Sequence, residues 1–299
     1  MDYHGNVPYC YSNGVAMLLS AHGERVYPGL VEVLTGIGLG AVRTPDGRTW
    51  FSTTQQEVPA GVDKALELLG CAFTTKDGPE DAPVEALLRT DLATGPVLLG
   101  PLDMGWLTYI PWHRELAGAD HYLVAYRVDG QGVQVQDPAG FPCARLGFED
   151  LAQAWRAERI AYGGGAFHRW LEVRGVGDPA GKEPYDAALA WFASRYRDRP
   201  SGGAVVRELA DELRPGRVDP GDAGFLTAFA FPLGARRALD YAGFFERGGD
   251  AALAASKHAQ ARLFGRCQQA ANRGDWPGVA GALGELARHE DDLEHAFTG

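Results

Sequence analysis

The sequence predicts an α+β domain followed by an α-helical domain, and three observations indicate this division. Up to about residue 177, segments of helical apolar period alternate with short runs typical of strands. A Gly- and Pro-rich stretch, RGVGDPAGKEP at 174–184, interrupts this pattern. Beyond it, nearly every segment has apolar residues at three-and-four spacing. We therefore predict two domains, residues 1–177 and residues 178–299.

The first domain is predicted to begin with a helix and to continue as an antiparallel sheet, as in α+β proteins. The segment SNGVAMLLSAHG places Val15, Leu18 and Leu19 on one apolar face and ends at Gly23. Helices are also predicted in VDKALELLG, PVEALLRTDLATG and FEDLAQAWRAE. The predicted strands are CAFTT, PVLLG, HYLVAYRVDG, GVQVQDP and FHRWLEVRG. The turn DGQG joins the third and fourth of these strands as a hairpin.

The second domain is predicted to be helical throughout. Glycine and proline separate its amphipathic segments, as expected at helix boundaries. The predicted helices are YDAALAWFASRYRD, GAVVRELADELR, ARRALDYAGFFERG, DAALAASKHAQARLFGRCQQAANRG and GVAGALGELARHEDDLEHAF.

The composition is that of an acidic globular protein. The chain has 299 residues, of which 45% are hydrophobic and 22% charged, and its formal net charge is −11. Because nucleic-acid binding needs a basic stripe, this charge argues against a nucleic-acid partner. No apolar window is long enough for a membrane span, and MDYHGNVPYC lacks the basic and apolar regions of a secretion leader. We therefore expect a cytoplasmic protein with no membrane partner.

The cysteines are scattered along the chain. They lie at positions Cys10, Cys71, Cys143 and Cys267. A disulfide framework is not expected in a cytoplasmic protein, and the absence of a C-x-x-C pair argues against structural zinc. We therefore expect free thiols, no metal site and no cofactor.

Three residues match what a cysteine nucleophile needs. Cys10 lies at the predicted start of a helix, where unpaired N–H groups and the helix dipole stabilise a thiolate. His121 opens a predicted strand and can take and return the thiol proton. Asp137 ends the next strand across the hairpin, where it can orient that histidine. The order Cys, His, Asp therefore predicts a catalytic triad.

Each of these residues also has a structural interpretation. A cysteine beside an apolar helix is often a small buried hydrophobic residue. A histidine before a β run is often a strand-end residue, and Asp-Pro often marks a turn. The combination of the three, with a hairpin between the last two, favours the catalytic interpretation.

The chain resembles papain-like cysteine peptidases of the bacteriocin-processing kind, and more closely the butirosin biosynthesis protein H-like family. The resemblance lies in CYSNGVAMLLSAHG and the turn GIGLGA, then in GPVLLGPLDMGWLTYIPWH, DHYLVAYRVDG, GVQVQDP and FEDLAQAWRAE. The helical domain, residues 178–299, is also similar to that family's second domain. The resemblance implies a papain-like cysteine-peptidase fold, an N-terminal helix packed on an antiparallel sheet, followed by an α-helical domain.

The resemblance also implies acyl transfer in natural-product biosynthesis. An acyl group would pass from an acyl carrier protein, or another thioester donor, through Cys10 to an amine of a small-molecule acceptor. Water as acceptor would make the protein a peptidase or thioesterase, and an internal carbanion would give cyclisation. A third alternative is an inactive papain-like scaffold that binds a partner. A homodimer is also compatible with the helical domain.

The chain departs from the family at positions that bear on the oxyanion. Tyr9 stands where the family usually has a histidine before the nucleophile. Papain-like enzymes also place a glutamine about six residues before the cysteine. His4 occupies that position here, with Asn6 nearby. Either side chain, or the backbone N–H of Cys10, can donate a hydrogen bond to an oxyanion.

An aromatic segment before the His-led strand is the predicted substrate-binding region. Asp103 in PLDMGW matches an acidic position of the family, and it would hold a substrate amine or steady a loop. Trp106, Tyr109 and Trp112 would form an aromatic wall or simply pack.

Two further patterns have weaker functional interpretations. GIGLG is followed by AVRTPDGRTW, which has no helical pattern, so we interpret its glycines as a tight turn rather than a dinucleotide site. Four cations of the helical domain would suit an acidic carrier protein if they formed one surface patch. They are Arg236, Arg237, Lys257 and Arg262.

Overall fold

The protein divides into two compact units. The computed structural model describes residues 1–5, 8–44, 46–53, 58–79, 82–160, 162, 166–177, 181–197 and 199–299. Unit 1 consists of Met1–Val31 and Val62–Gly177, and unit 2 of Glu32–Gly61 and Asp178–Gly299. One division therefore coincides with the predicted boundary after residue 177. The prediction differs over residues 32–61, which it placed in the first domain and which group with the C-terminal helices.

The secondary structure is mixed helix and strand. The helices are α1 (Cys10–Ala21), α2 (Pro28–Leu34), α3 (Val58–Leu68), α4 (Val84–Asp91), α5 (Phe148–Arg156), α6 (Lys182–Tyr196), α7 (Gly202–Leu213), α8 (Pro220–Phe225), α9 (Phe231–Arg247), α10 (Ala251–Ala271) and α11 (Trp276–Thr298). The strands are β1 (Val42–Arg43), β2 (Thr49–Trp50), β3 (Ala72–Lys76), β4 (Val97–Asp103), β5 (Asp120–Asp129), β6 (Gly132–Asp137), β7 (Phe141–Leu146) and β8 (Arg169–Arg174). Two 3₁₀ turns, Met104–Trp106 and His113–Leu116, follow β4, and a π-helical turn, Leu226–Ala230, joins α8 to α9.

Unit 1 is built on one antiparallel sheet. Its strand order is β3-β8-β4-β5-β6-β7, and every neighbouring pair is antiparallel. One apolar core joins strand residues such as Leu99, Leu123 and Val135 to Leu151 and Trp155 of α5. The predicted α+β arrangement, with an N-terminal helix and an antiparallel sheet, is confirmed for this unit.

Helix α1 lies close against the sheet because a glycine faces it. A Cβ atom at Gly14 would lie 2.4 Å from Cδ1 of Leu98 and 3.7 Å from Cγ2 of Val124. The absence of a side chain at Gly14 therefore sets the approach of α1 to β4 and β5.

Unit 2 is a set of packed helices that includes the segment 32–61. Phe51 of this segment lies in the same core as helices α7, α10 and α11, with its ring centroid 4.7 Å from that of Phe264. The carboxylate of Glu32 accepts a hydrogen bond from Nε of Arg237 at 2.8 Å. These buried contacts explain why the segment belongs with the C-terminal helices, although its sequence has no helical period. The GIGLG turn lies here, with Gly36 at φ +70° and Gly40 at φ +69°.

The predicted basic patch does not form as such. Arg237 is only 7% exposed and pairs with Glu32, while Lys257 is 2% exposed. The ammonium of Lys257 donates to Oε1 of Gln260 at 2.8 Å. Two of the four cations are therefore interior groups, which the helical period alone did not reveal.

Some elements escaped the sequence analysis. Helix α2, the β1–β2 pair, strand β7 and the α8–π-helix segment had no clear period. β7 is mostly exposed or half-buried and includes Pro142, so it lacks the apolar alternation that marks a strand. Among the described residues, no helix combines the length and apolar character needed to cross a membrane.

Candidate functional site

Cys10 is the first residue of α1 and is half-buried. The carbonyl of Tyr9, just before it, accepts hydrogen bonds from the backbone N–H and from Nδ2 of Asn13, each at 2.8 Å. Tyr9 and Asn13 are both buried. These contacts fix the first turn of the helix, and with it the position of the thiol.

His121 and Asp137 form a close pair at one end of the β5–β6 hairpin. Nε2 of His121 donates to Oδ1 of Asp137 at 2.6 Å. Both side chains are buried, and Asp137 has no exposed surface. The contact that the hairpin spacing predicted is therefore present in the structure.

The thiol of Cys10 completes the cluster. His121 has a side-chain hydrogen bond to Cys10 as well as to Asp137. Because Nε2 is occupied by the carboxylate, Nδ1 is the ring nitrogen that faces the thiol. Burial alone would lower the pKa of His121, but the Asp137 carboxylate and the Cys10 sulfur outweigh it and raise this pKa well above its usual value.

Asp137 accepts further hydrogen bonds besides the one from His121. Its Oδ1 accepts from the N–H of Ala139 at 2.7 Å, and its Oδ2 accepts from the Tyr109 hydroxyl at 2.6 Å. The Tyr3 hydroxyl donates to the backbone carbonyl of Asp137 at 2.8 Å. Burial would raise the pKa of the carboxyl, but the His121 charge and these hydrogen bonds lower it overall. Asp137 therefore stays ionised.

Such an arrangement can generate a nucleophile. A protonated imidazole between a carboxylate and a sulfur stabilises the thiolate, which is the reactive form of cysteine. The same imidazole can return its proton to a leaving group. The buried carboxylate holds the ring in place for both steps.

Tyr109 takes a different place from the one predicted. Its hydroxyl binds Asp137, and its ring centroid lies 5.8 Å from that of Phe141. Burial and the Asp137 charge raise the pKa of the phenol well above its usual value, so it remains a hydrogen-bond donor. Tyr109 is thus a positioning group for the carboxylate rather than part of an open aromatic wall.

The two tryptophans of the same segment are on the surface. Trp106 is 37% exposed and Trp112 is 54% exposed. Because Tyr109 lies between them in sequence and touches Asp137, the segment is anchored beside the Cys10–His121–Asp137 cluster. Their exposure leaves both indole rings available to a ligand.

Asp103 has both carboxylate oxygens engaged. Oδ1 accepts from the N–H groups of Gly105 at 2.8 Å and Gly118 at 2.9 Å, and Oδ2 accepts from Nε of Arg159 at 2.6 Å. Of its two predicted roles, this geometry favours steadying the loop over holding a substrate amine.

The structure bears differently on the three groups predicted to donate a hydrogen bond to the oxyanion. His4 is half-buried, and Asn6 lies outside the described residues. The backbone N–H of Cys10 donates to the carbonyl of Pro8 at 2.8 Å. That N–H is therefore occupied within the turn before α1 and does not point to an incoming oxyanion.

Two tyrosines at the site were not assigned their contacts from sequence. Tyr3 and Tyr109 bind Asp137 from positions distant in the chain, and no local sequence pattern predicts such contacts.

The remaining cysteines provide a contrast. Burial raises the pKa of Cys71 to about 11 and that of Cys267 to about 12, so both thiols stay protonated at neutral pH. Cys143 is exposed on β7. Within the described part of the chain, no three His, Cys, Asp or Glu side chains cluster as a metal-ligand set.

These features define the class of protein: a two-unit chain whose α+β unit holds a cysteine at a helix start, hydrogen-bonded to a His–Asp pair. The chain is 39% identical over 300 residues to a Bacillus subtilis (strain 168) protein described as "Uncharacterized protein YobF", covering 97% of this chain and 96% of the relative. The family model "YobF C-terminal domain" matches residues 197–298. The chain therefore belongs to the YobF family.

Proposed function

We propose that this protein is a cysteine-dependent acyltransferase with a papain-like first unit. The observation that carries the proposal is the position of His121. Its Nε2 binds the Asp137 carboxylate, and its other ring nitrogen faces the Cys10 sulfur. The helix-first antiparallel sheet and the resemblance to the butirosin biosynthesis protein H-like family support it.

The first half-reaction forms an acyl-enzyme. The Cys10 thiolate attacks the carbonyl carbon of a thioester and makes a new C–S bond. The bond to the donor sulfur breaks, and the His121 imidazolium gives its proton to the departing thiolate. Asp137 holds the ring through its Nε2–H during this transfer.

The second half-reaction releases the acyl group. Neutral His121 removes a proton from the acceptor as it attacks the acyl carbon. The bond to Sγ of Cys10 then breaks and restores the thiolate–imidazolium pair. An amine as acceptor gives an amide, an internal nucleophile gives a ring, and water gives a free acid.

The proposed substrates follow from the resemblance and from this chemistry. The donor would be an acyl carrier protein or another thioester, and the acceptor a small molecule. Trp106 and Trp112, which are exposed and lie in the same segment as Tyr109, would contact either substrate. A peptidase or thioesterase, with water as acceptor, and an inactive binding scaffold are the alternatives that experiment must distinguish.

The test uses a butyryl thioester of N-acetylcysteamine, with and without putrescine as acceptor amine. We expect butyrylation at Cys10, detected by mass spectrometry of the tryptic peptide, and N-butyrylputrescine as the product. Cys10→Ala should abolish both signals. Because Cys143 is exposed, the experiment is best performed in a Cys143→Ser background, where half-buried Cys71 and buried Cys267, both with raised pKa, remain as internal controls.

The products separate the alternatives. Release of butyrate alone, unchanged by putrescine, would identify a thioesterase. Wild-type protein that is neither butyrylated nor alkylated by iodoacetamide faster than its His121→Ala variant would contradict the enzymatic proposal and favour the scaffold.

A further inference from the structure

Among the described residues, no contact given so far assigns a donor to the oxyanion. Acyl transfer at Cys10 places a negative charge on the former carbonyl oxygen, and donors aimed at that charge are usually the largest contribution to such catalysis. The N–H of Cys10 is bound to Pro8. A donor other than this N–H is therefore needed near the sulfur.

Tyr122 faces the first turn of α1. Two pairs of contacts fix how this helix lies along β5: Gly14 is beside Val124, and the ring of Tyr11 lies edge-on to that of Tyr122 with centroids 5.7 Å apart. Val124 and Tyr122 are two residues apart, so both point to the same face of the sheet. Tyr122 is therefore, with His121, a β5 side chain beside the start of the helix, where Cys10 lies.

The ring of Tyr122 is held tightly. It is completely buried, and a Cβ atom at Gly100 would lie 2.3 Å from its Cδ1. Its second aromatic neighbour is Trp170, at 6.1 Å between centroids. This packing fixes the direction of the hydroxyl.

The hydroxyl of Tyr122 is only loosely engaged. Among the described residues it is a buried polar group without a well-formed hydrogen bond, and such a group is costly unless a ligand or reaction intermediate satisfies it. Its partner in the resting protein is the Tyr162 hydroxyl, which itself donates to Oδ2 of Asp120.

We propose that the Tyr122 hydroxyl donates a hydrogen bond to the oxyanion that forms when Cys10 attacks an acyl group. The inference rests on the proposed acyl-transfer function and assigns it one further catalytic residue. An anionic oxygen is a stronger acceptor than the neutral Tyr162 phenol, so the donor is drawn to it only while the charge exists.

The electrostatics suit this role. Burial, followed by the Asp120 charge, raises the pKa of Tyr122 well above its usual value, and the Cys10 sulfur adds to the effect. The phenol therefore keeps its proton at neutral pH and remains a donor.

The test compares two reactions of the same sulfur in Tyr122→Phe. Alkylation by iodoacetamide needs the thiolate but forms no oxyanion, whereas butyrylation by the N-acetylcysteamine thioester needs both. We expect Tyr122→Phe to lower the single-turnover butyrylation rate by about 100-fold, the loss typical of one oxyanion donor, and to leave the alkylation rate unchanged. Tyr126→Phe, which removes a hydroxyl from the same strand beside Cys143, should change neither rate.

Each other outcome overturns the inference in a recognisable way. Butyrylation of Tyr122→Phe at the wild-type rate would exclude the proposed donor. An equal loss in both reactions would show that Tyr122 acts on the thiolate instead. Wild-type protein that is alkylated but never butyrylated would overturn the acyl-transfer function, and the Tyr122 role with it.

Discussion

At the scale of residues, the site is organised around one buried carboxylate. Asp137 accepts hydrogen bonds from His121, Ala139 and Tyr109. These hydrogen bonds offset the free-energy cost of burying its charge. The arrangement favours the ionised carboxylate and, through it, the protonated imidazole. Tyr109 acts on the thiol only through this chain of contacts.

The lowered pKa of Asp137 determines how the contribution of Tyr109 to folding stability depends on pH. A carboxyl whose pKa is lower in the folded chain stabilises the fold above its unfolded pKa of about 4. This stabilisation is lost as the pH falls through the folded-state pKa. Part of the lowering at Asp137 comes from the Tyr109 hydrogen bond.

Tyr109→Phe should therefore lower the free energy of unfolding by about 1.5–3 kcal/mol at pH 7, as for hydrogen bonds to charged groups. The difference from wild type should shrink as the pH falls through the folded-state pKa of Asp137 in each protein, which in the wild type lies below the ordinary value for an aspartate. Urea unfolding followed by circular dichroism over pH 3–7 measures this.

Tyr3→Phe is the matched control for Tyr109→Phe. Its hydroxyl binds the carbonyl of Asp137 rather than the carboxylate, so its effect should be smaller and independent of pH in this range. A Tyr109→Phe defect that persists undiminished at a pH where Asp137 is protonated would contradict the role given to the carboxylate.

The sequence identifies Cys10, His121 and Asp137 because local structure places them. A helix start, a strand start and a hairpin end are readable from apolar period and turn residues. Tyr109 and Tyr3 reach the same carboxylate from loop and N-terminal positions, and tertiary packing alone decides such contacts. The hydrogen bonds of Asp103 and the occupied N–H of Cys10 depend on turn geometry in the same way.

At the scale of elements, α1 has a clear apolar face in its sequence but also a glycine in its middle, a residue that disfavours helix formation. Its apolar face was predicted from Val15, Leu18 and Leu19, whereas Gly14 in mid-helix counts against helix formation. The contact with Leu98 explains the glycine, because a side chain there would push the helix off the sheet. Since Cys10 lies on the same helix, this spacing also sets the distance between the thiol and β5.

Gly14→Ala is expected to destabilise unit 1, although helix propensity alone would favour alanine by about 1 kcal/mol. Overpacking a buried site costs roughly 1–3 kcal/mol, because Leu98 has no exposed surface and little room to move. Urea unfolding monitored by circular dichroism gives the change.

A double-mutant cycle supplies the control for Gly14→Ala. With Leu98→Ala in the background, the clash is removed, and Gly14→Ala should become neutral or stabilising. Additive effects of the two substitutions would show that the Gly14–Leu98 contact is not the cause.

At the scale of the whole molecule, residues 32–61 are the main feature that period and composition did not predict. The segment has short elements and many turn residues, so its membership in unit 2 rests on contacts with residues more than a hundred positions later. Phe51 against Phe264 and Glu32 against Arg237 are the clearest of these contacts. Five helices of unit 2 were predicted because each has its own amphipathic pattern: α6, α7, α9, α10 and α11.

Phe51→Ala should destabilise unit 2 by about 3–5 kcal/mol, the usual cost of removing a buried phenylalanine side chain. The measurement is guanidinium unfolding followed at 222 nm, where helices dominate the signal. Leu239→Ala, which truncates a 52% exposed side chain on α9, should change stability by less than about 0.5 kcal/mol. Equal effects of the two substitutions would contradict the place of Phe51 in the core.

The interleaving of the two units has a consequence for biosynthesis. Unit 1 is complete once residue 177 has left the ribosome, but unit 2 then has only residues 32–61 and must wait for its C-terminal helices. Translation adds about 5–20 residues per second. Residues 32–61 therefore wait for several seconds before the C-terminal helices are available to pack against apolar side chains such as Phe51. The match to the C-terminal family model, residues 197–298, therefore covers only part of unit 2. A gene fusion that transplanted those residues alone would leave behind Glu32 and Phe51, which the helices need in order to close their core.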